Sequence, residues 1–215
     1  MAQWIVHYAN ACGQLDGWIE RIGEGIETAR YRAEQVSMAI SLDVVVQVWP
    51  GQVIDCRGFV GYAPTGTMMQ LTLDQGNANF AGSMGEPFER MVAHELHHVM
   101  RWRGPGYGRT LGEALVSEGL AGHFCRQLYA SAPEPWESAL SEKEMTACAA
   151  KAEQAWFAPS YRHGEWFFGQ GGLPHWAGYS LGYAVVDRYL QHNGGQSAAS
   201  LVHEPAANFY PYLHR

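Results

Sequence analysis

Residues 94–98 read His-Glu-Leu-His-His and interrupt a stretch of otherwise apolar, helix-compatible text. In an α-helix each residue turns by about 100°, so His98 lies about 40° round from His94 and one turn along it. Both imidazoles can therefore meet one ion. Glu95 lies about 100° from His94 on the side of His98, where its carboxylate reaches a water on the ion rather than the ion itself. His97 falls about 60° the other way. It cannot replace His98 without taking that water from Glu95, so it reads as a neighbour, a core or supporting histidine. His-Glu-x-x-His on a helix is two ligands and a base, and the chemistry on offer is hydrolysis by an activated water. The plain alternative is a set of satisfied structural histidines.

The third ligand decides between them. Thr110-Leu111-Gly112-Glu113 fits a capping box, which gives Glu113 an ordinary task at the third position of the next helix. Glu118 is different. Leu111, Ala114, Leu115, Ala121, Gly122 and Cys125 all fall within about 60° of it on that helix. An ionised carboxylate on such a face costs several kcal/mol unless it is paired or coordinated. Coordination beside His94 and His98 removes the cost. Two histidines and a glutamate with an open fourth position are a catalytic zinc set. The small residues Ala114, Ala121 and Gly122 would let two helices approach closely enough to share the ion.

The elements that must position these groups follow from spacing and punctuation. Ser83-Met84-Gly85-Glu86 fits a capping box, with Pro87 in the first turn, and Gly104-Pro105-Gly106 ends the helix. Helical spacing also covers about 17–39, 111–129, 141–156, 176–192 and a short piece from 197. Val44–Trp49 reads as a strand ended by Pro50-Gly51. A second extended stretch runs from Val53 to Tyr62, closed by Pro64 and Gly66. Met69–Asp74 alternates in polarity as a strand with one exposed face, and it is either an internal strand or the sheet edge to which a peptide adds. The expected class is α+β in one domain, 1–215: a helical segment over 1–40, the sheet and motif helix over 41–103, and a helical half over 104–215.

Composition narrows the partners. The chain has 215 residues, 47% apolar and 16% charged, which suits one well-buried core. A net charge of −7 without a Lys/Arg cluster disfavours nucleic acid. Four isolated cysteines, at 12, 56, 125 and 148, form no C-x-x-C pair, so neither a cysteine metal site nor a disulfide framework is expected. No run reaches about 18 apolar residues, and Met1–Gly13 lacks a basic-then-apolar leader. A cytoplasmic protein with no membrane partner is the expectation. Oligomeric state is not legible.

The His-Glu-x-x-His helix, followed after 19 intervening residues by Ser117-Glu118-Gly119-Leu120-Ala121, resembles the gluzincin metallopeptidases, thermolysin among them. More narrowly, "AHELHHVMR", "GEALVSEGLAGHF", "GYAPTG…LTLD" and "WAGYSLGYAVVDRYL" resemble a bacterial family of zinc-dependent proteases catalogued as a domain of unknown function. The similarity covers about Val44 to Leu190. It implies a zincin-like core with a small, mostly antiparallel twisted sheet, and a peptidase that cleaves a peptide or protein substrate. His94, His98 and Glu118 match the Zn2+ ligands and Glu95 the general base. Where thermolysin-type sequences carry an aspartate four residues after the ligand glutamate, this chain has Gly122, so His123, Ser117 or a backbone carbonyl must orient His94. The resemblance also implies a Tyr or His donor to the oxyanion from the C-terminal half, with Tyr179 and Tyr183 as candidates and His175 behind them. Arg101 matches an arginine of the pattern and reads first as a structural ion pair. Cys125 reads as a buried thiol, and Gly169–Gly172 as a loop that borders a cleft or turns the chain. His203 and His214 have no spacing for a second metal site. Two other classes remain: a metal-dependent hydrolase of a small amide, and a catalytically silent zinc-containing or peptide-binding module.

Overall fold

The valine-rich run after residue 40 forms the expected strand, and it lies inside a four-stranded open sheet rather than at its margin. The structure, a computed structural model, describes residues 2–214. The chain divides into two compact units, Met1–Trp102 and Arg103–Arg215.

In the first unit, β1 (Trp4–Tyr8) leads through α1 (Ile19–Glu34) to β2 (Leu42–Val48), then β3 (Phe59–Thr65) and β4 (Met68–Leu73). The order across the sheet is β1-β2-β4-β3. β2 pairs in parallel with both β1 and β4, and β3 pairs antiparallel with β4. The sheet is therefore mixed, not mostly antiparallel as expected. One cause is β1, five residues inside a segment read as helical; helix α1 returns the chain alongside it, a βαβ step that makes the pair parallel. The other is that the chain leaves β2 for the far edge, runs β3 there, and returns as β4 between them.

Leu42, Val44 and Val46 are buried while Asp43, Val45 and Gln47 are half-exposed, so β2 has one covered face. After the single-turn α2 (Phe80–Ser83), helix α3 (Glu86–Trp102) packs on β3 and β4, and α1 packs on α3. Gly25 of α1 permits that approach, since a Cβ there would stand 2.7 Å from Phe88 of α3. The start of α3 differs from expectation. Ser83 closes α2, and the carbonyl of Gly85 accepts from the Glu89 amide. Gly85 thus holds the place assigned to Ser83. β4 is internal, with β2 and β3 on its two sides, so the edge reading of Met69–Asp74 is overturned.

The second unit is helical: α4 (Leu111–Tyr129), α5 (Glu142–Ala155), α6 (His163–Phe168), α7 (Ala177–His192) and a 3-10 helix (Ala206–Tyr212). Helix α4 is its core, buried at every position from Leu111 to Cys125 except Glu113. The Thr110–Glu113 capping box forms as expected, and Ser141–Glu144 makes another at the start of α5. Helices α4 and α7 meet backbone to backbone: a Cβ on Gly119 would stand 2.2 Å from the Gly182 carbonyl oxygen, and one on Gly182 2.2 Å from that of Leu115. The short piece expected from 197 is a run of turns, with the 3-10 helix beyond it. No helix among the described residues is long and apolar enough to cross a membrane.

Candidate functional site

Helix α3 buries Val92, Ala93, Leu96 and Val99 and carries the histidines between them. The Nε2 atoms of His94 and His98 lie 3.0 Å apart, with ring planes at 80°. Two imidazoles bound to one tetrahedral zinc at the usual bond length have nitrogens about 3.3 Å apart. The observed spacing is within a few tenths of that, so the pair fits one ion without moving either ring far. His97, 0% exposed, is a core residue.

Glu95 is 7% exposed and lies against the edge strand β3. A Cβ on Gly61 would stand 2.3 Å from its Cγ and 2.7 Å from its Oε1. Glycine at 61 is what admits the carboxylate there. The Asp74 amide donates to the Gly58 carbonyl, which fixes the side of β3 that turns to β4. Alternate residues of an antiparallel strand turn both backbone groups the same way, so Val60 and Tyr62 face β4 while Phe59, Gly61 and Ala63 face outward. Phe59 and Ala63 carbonyls accept from the Ile54 amide and the Trp102 indole, at 3.2 and 2.8 Å. Between them, Gly61 presents its N–H and C=O to the open edge.

In the second unit, Glu118 is 8% exposed in the middle of α4. The Tyr107 hydroxyl donates to its Oε1 at 2.7 Å. Burial, then the Glu118 charge, raises the Tyr107 pKa well above the ordinary phenol value, so Tyr107 stays a neutral donor. Tyr161 and His163 also feel Glu118. Burial and then Glu118 push the Tyr161 phenol up to about 12, while burial lowers the His163 imidazole against the pull of Glu118. The Tyr161 hydroxyl and His163 Nδ1 lie 3.1 Å apart. His163 stacks on Phe167, whose ring also meets those of Tyr179, 4.9 Å away, and Tyr161, 6.5 Å away.

One ligand atom from each of His94, His98 and Glu118 lies within 4.8 Å of the other two, and among the described residues this is the set of three that can hold a metal ion.

The remaining candidates sort themselves by place. Tyr179 belongs to the aromatic group around Tyr107. Tyr183 does not: its ring stacks at 4.0 Å on His123. His175 is exposed beside Trp176. Of the groups offered to orient His94, Ser117 Oγ donates to the Tyr107 carbonyl and His123 Nε2 meets the Tyr183 carbonyl. The space a side chain at 122 would fill holds the Glu137 carboxylate, 2.3 Å from the Cβ position. Gly122 thus leaves room for Glu137, and a Cβ there would also stand 3.0 Å from the Tyr183 ring. Arg101 is buried. Cys125 is a buried cysteine outside any disulfide, as expected. His203 packs on Gly104, and His214 pairs with Glu153 at 3.3 Å. Residues 169–172 form a turn.

Tyr107, Tyr161 and His163 were not singled out from the sequence. Tyr107 had a signal, a lone aromatic between two glycines in Gly104-Pro105-Gly106-Tyr107-Gly108. Tyr161 and His163 stand in a polar stretch with no periodic pattern to mark them.

No curated protein and no solved structure matches the chain. The model of one protein family matches residues 19–210, beyond the Val44–Leu190 span of the motif resemblance at both ends. The chain belongs to that family, described as predicted Zn-dependent protease (DUF2268).

Proposed function

We propose that the chain is a zinc-dependent peptidase in which His94, His98 and Glu118 hold the ion and Glu95 is the general base. The observation that carries this reading is the His94–His98–Glu118 triad, with Glu95 next in sequence to one of its ligands. Its donor set, two imidazoles and a carboxylate, is that of catalytic zinc, which keeps a position open. A zinc ion held by these three residues would polarise the scissile carbonyl and lower the pKa of a bound water. Glu95 takes the proton of the attacking water and passes it to the leaving amine. The absence of a side chain at Gly61 leaves the carboxylate room against β3.

The same glycine supports a peptide as the substrate. Its outward N–H and C=O, directly above Glu95, can pair with an extended chain added to β3 as a further strand. This moves the substrate edge from Met69–Asp74 to β3. The oxyanion donor comes from the aromatic group around Glu118. There the Tyr161 hydroxyl and His163 Nδ1 lie 3.1 Å apart; in the tautomer in which Nδ1 accepts from Tyr161, Nε2–H is a neutral donor, and Tyr179 is its neighbour through Phe167. A small-amide hydrolase would have no use for an open strand edge, and a silent module none for Glu95.

The test is metal analysis of the purified protein and of Glu95→Gln, each assayed on a peptide library. Zinc retained in both with hydrolysis lost from the variant, by about 10²-fold or more, is the expected result. Equal turnover by both proteins removes Glu95 as base, and turnover confined to small amides removes the peptide.

A further inference from the structure

Tyr107 is held in place more firmly than a loop residue requires. It sits between Gly106 and Gly108, whose φ values of +79° and +110° only glycine adopts at low cost. On one side of it the Ser117 hydroxyl, one residue before Glu118, donates to its carbonyl at 2.8 Å. On the other, the amides of Arg109 and Thr110 both donate to the Glu113 carboxylate, at 2.7 and 2.9 Å. A Cβ on Gly108 would stand 2.1 Å from that of Glu113. The loop is thus tied to the first two turns of α4 at three points. The product is one polar contact, the Tyr107 hydroxyl on Glu118 Oε1 at 2.7 Å.

A carboxylate can meet a metal through one oxygen or both. We infer that Tyr107 is a positioning residue for Glu118: by donating to Oε1 it turns Oε2 toward the ion, keeps the ligand monodentate, and orients it before the metal arrives. This rests on the zinc reading proposed above and adds what sets the ligand's geometry. Partners that orient a metal ligand from behind change metal affinity by about 10–100-fold when removed.

The test compares the metal-free and metal-loaded full chain with Tyr107→Phe, which keeps the ring and removes the donor. Zinc affinity is read by competition with a chromophoric chelator, stability by thermal unfolding of the apo proteins, and coordination number by the visible bands of the cobalt-substituted proteins. The expected result has three parts. Apo stability falls, because a buried carboxylate oxygen loses its donor, zinc affinity falls about 10–100-fold, and the cobalt bands weaken as the carboxylate becomes bidentate and the coordination number rises. Equal affinity and identical cobalt spectra in the two proteins overturn the inference while leaving the zinc site intact. A wild type that holds no zinc overturns both at once. Should Tyr107→Phe not fold, the zinc-minus-apo infrared difference spectrum of the wild type decides: a wide separation of the two carboxylate stretches supports monodentate Glu118, and a narrow one overturns it.

Discussion

Gly61→Ala probes the contact that seats Glu95. The new Cβ would stand 2.3 Å from Glu95 Cγ, 2.7 Å from Oε1 and 2.8 Å from Cδ, all three within one side chain. Carbon atoms rest about 3.5–4.0 Å apart, so something must give by more than an ångström. Overpacking on this scale costs about 1–3 kcal/mol. Alanine returns about 0.4–1 kcal/mol by stiffening the unfolded chain. The net expectation is a loss of about 1–2 kcal/mol. At about 2–4 °C per kcal/mol for a chain of this size, the melting temperature of the metal-free protein falls by about 2–8 °C. The three nearest atoms all belong to Glu95, so truncation to Glu95→Ala should relieve the crowding. In that background Gly61→Ala becomes neutral or mildly stabilising, which leaves a coupling of about 1–3 kcal/mol in a double-mutant cycle. Urea and thermal unfolding of the four metal-free proteins measure it. Equal effects of Gly61→Ala in the two backgrounds would mean that the strand and the carboxylate do not touch, and the proposed substrate edge would lose its link to the base.

Zinc added to metal-stripped wild type at about a thousand times its dissociation constant should stabilise it by about 4 kcal/mol, or about 8–16 °C in differential scanning fluorimetry; no shift would mean no site. Gly182→Ala drives a methyl against the Leu115 carbonyl, and backbone cannot swing aside as a side chain can. A loss of about 3 kcal/mol or more in urea unfolding is expected, and a change under about 0.5 kcal/mol would contradict the α4–α7 contact. Burial lowers the His123 pKa, with Arg126 adding to it against the Tyr183 carbonyl and Asp187. The unfolded imidazole titrates near about 6.5. Below that pH the unfolded chain takes a proton that the folded chain refuses, so stability falls with pH until the folded value is passed. His123→Gln should flatten that fall between about pH 7.5 and 5.5, measured in urea on metal-free protein. An unchanged slope would refute it.

What the sequence made legible was what periodicity and local chemistry govern. The α3 motif reads from helical angles, and Glu118 stands out because an apolar helix face makes a carboxylate expensive. The Thr110–Glu113 cap is a short-range hydrogen-bond pattern, and it formed. What was not legible depends on distant partners. β1 is too short to show alternation against noise, and its parallel pairing with β2 is a matter of topology. Pro64 falls inside β3, where it closes off a strand by the usual rule, yet an edge strand tolerates it. Ser83 had the right spacing for a cap, but Gly85 took the position. The seat of Glu95 on Gly61, the donation from Tyr107, and the Tyr161–His163 pair each join residues that the sequence lists separately or sets in loops. Spacing along one helix cannot reveal them.

Zinc-edge X-ray absorption of the loaded protein tests the central claim most directly. Two imidazole nitrogens at about 2.0–2.1 Å and oxygen at about 2.0–2.2 Å, with the imidazole signal halved in His98→Ala, are the result this account requires. A sulfur shell near 2.3 Å, or an unaltered spectrum in His98→Ala, would place the ion elsewhere and contradict it.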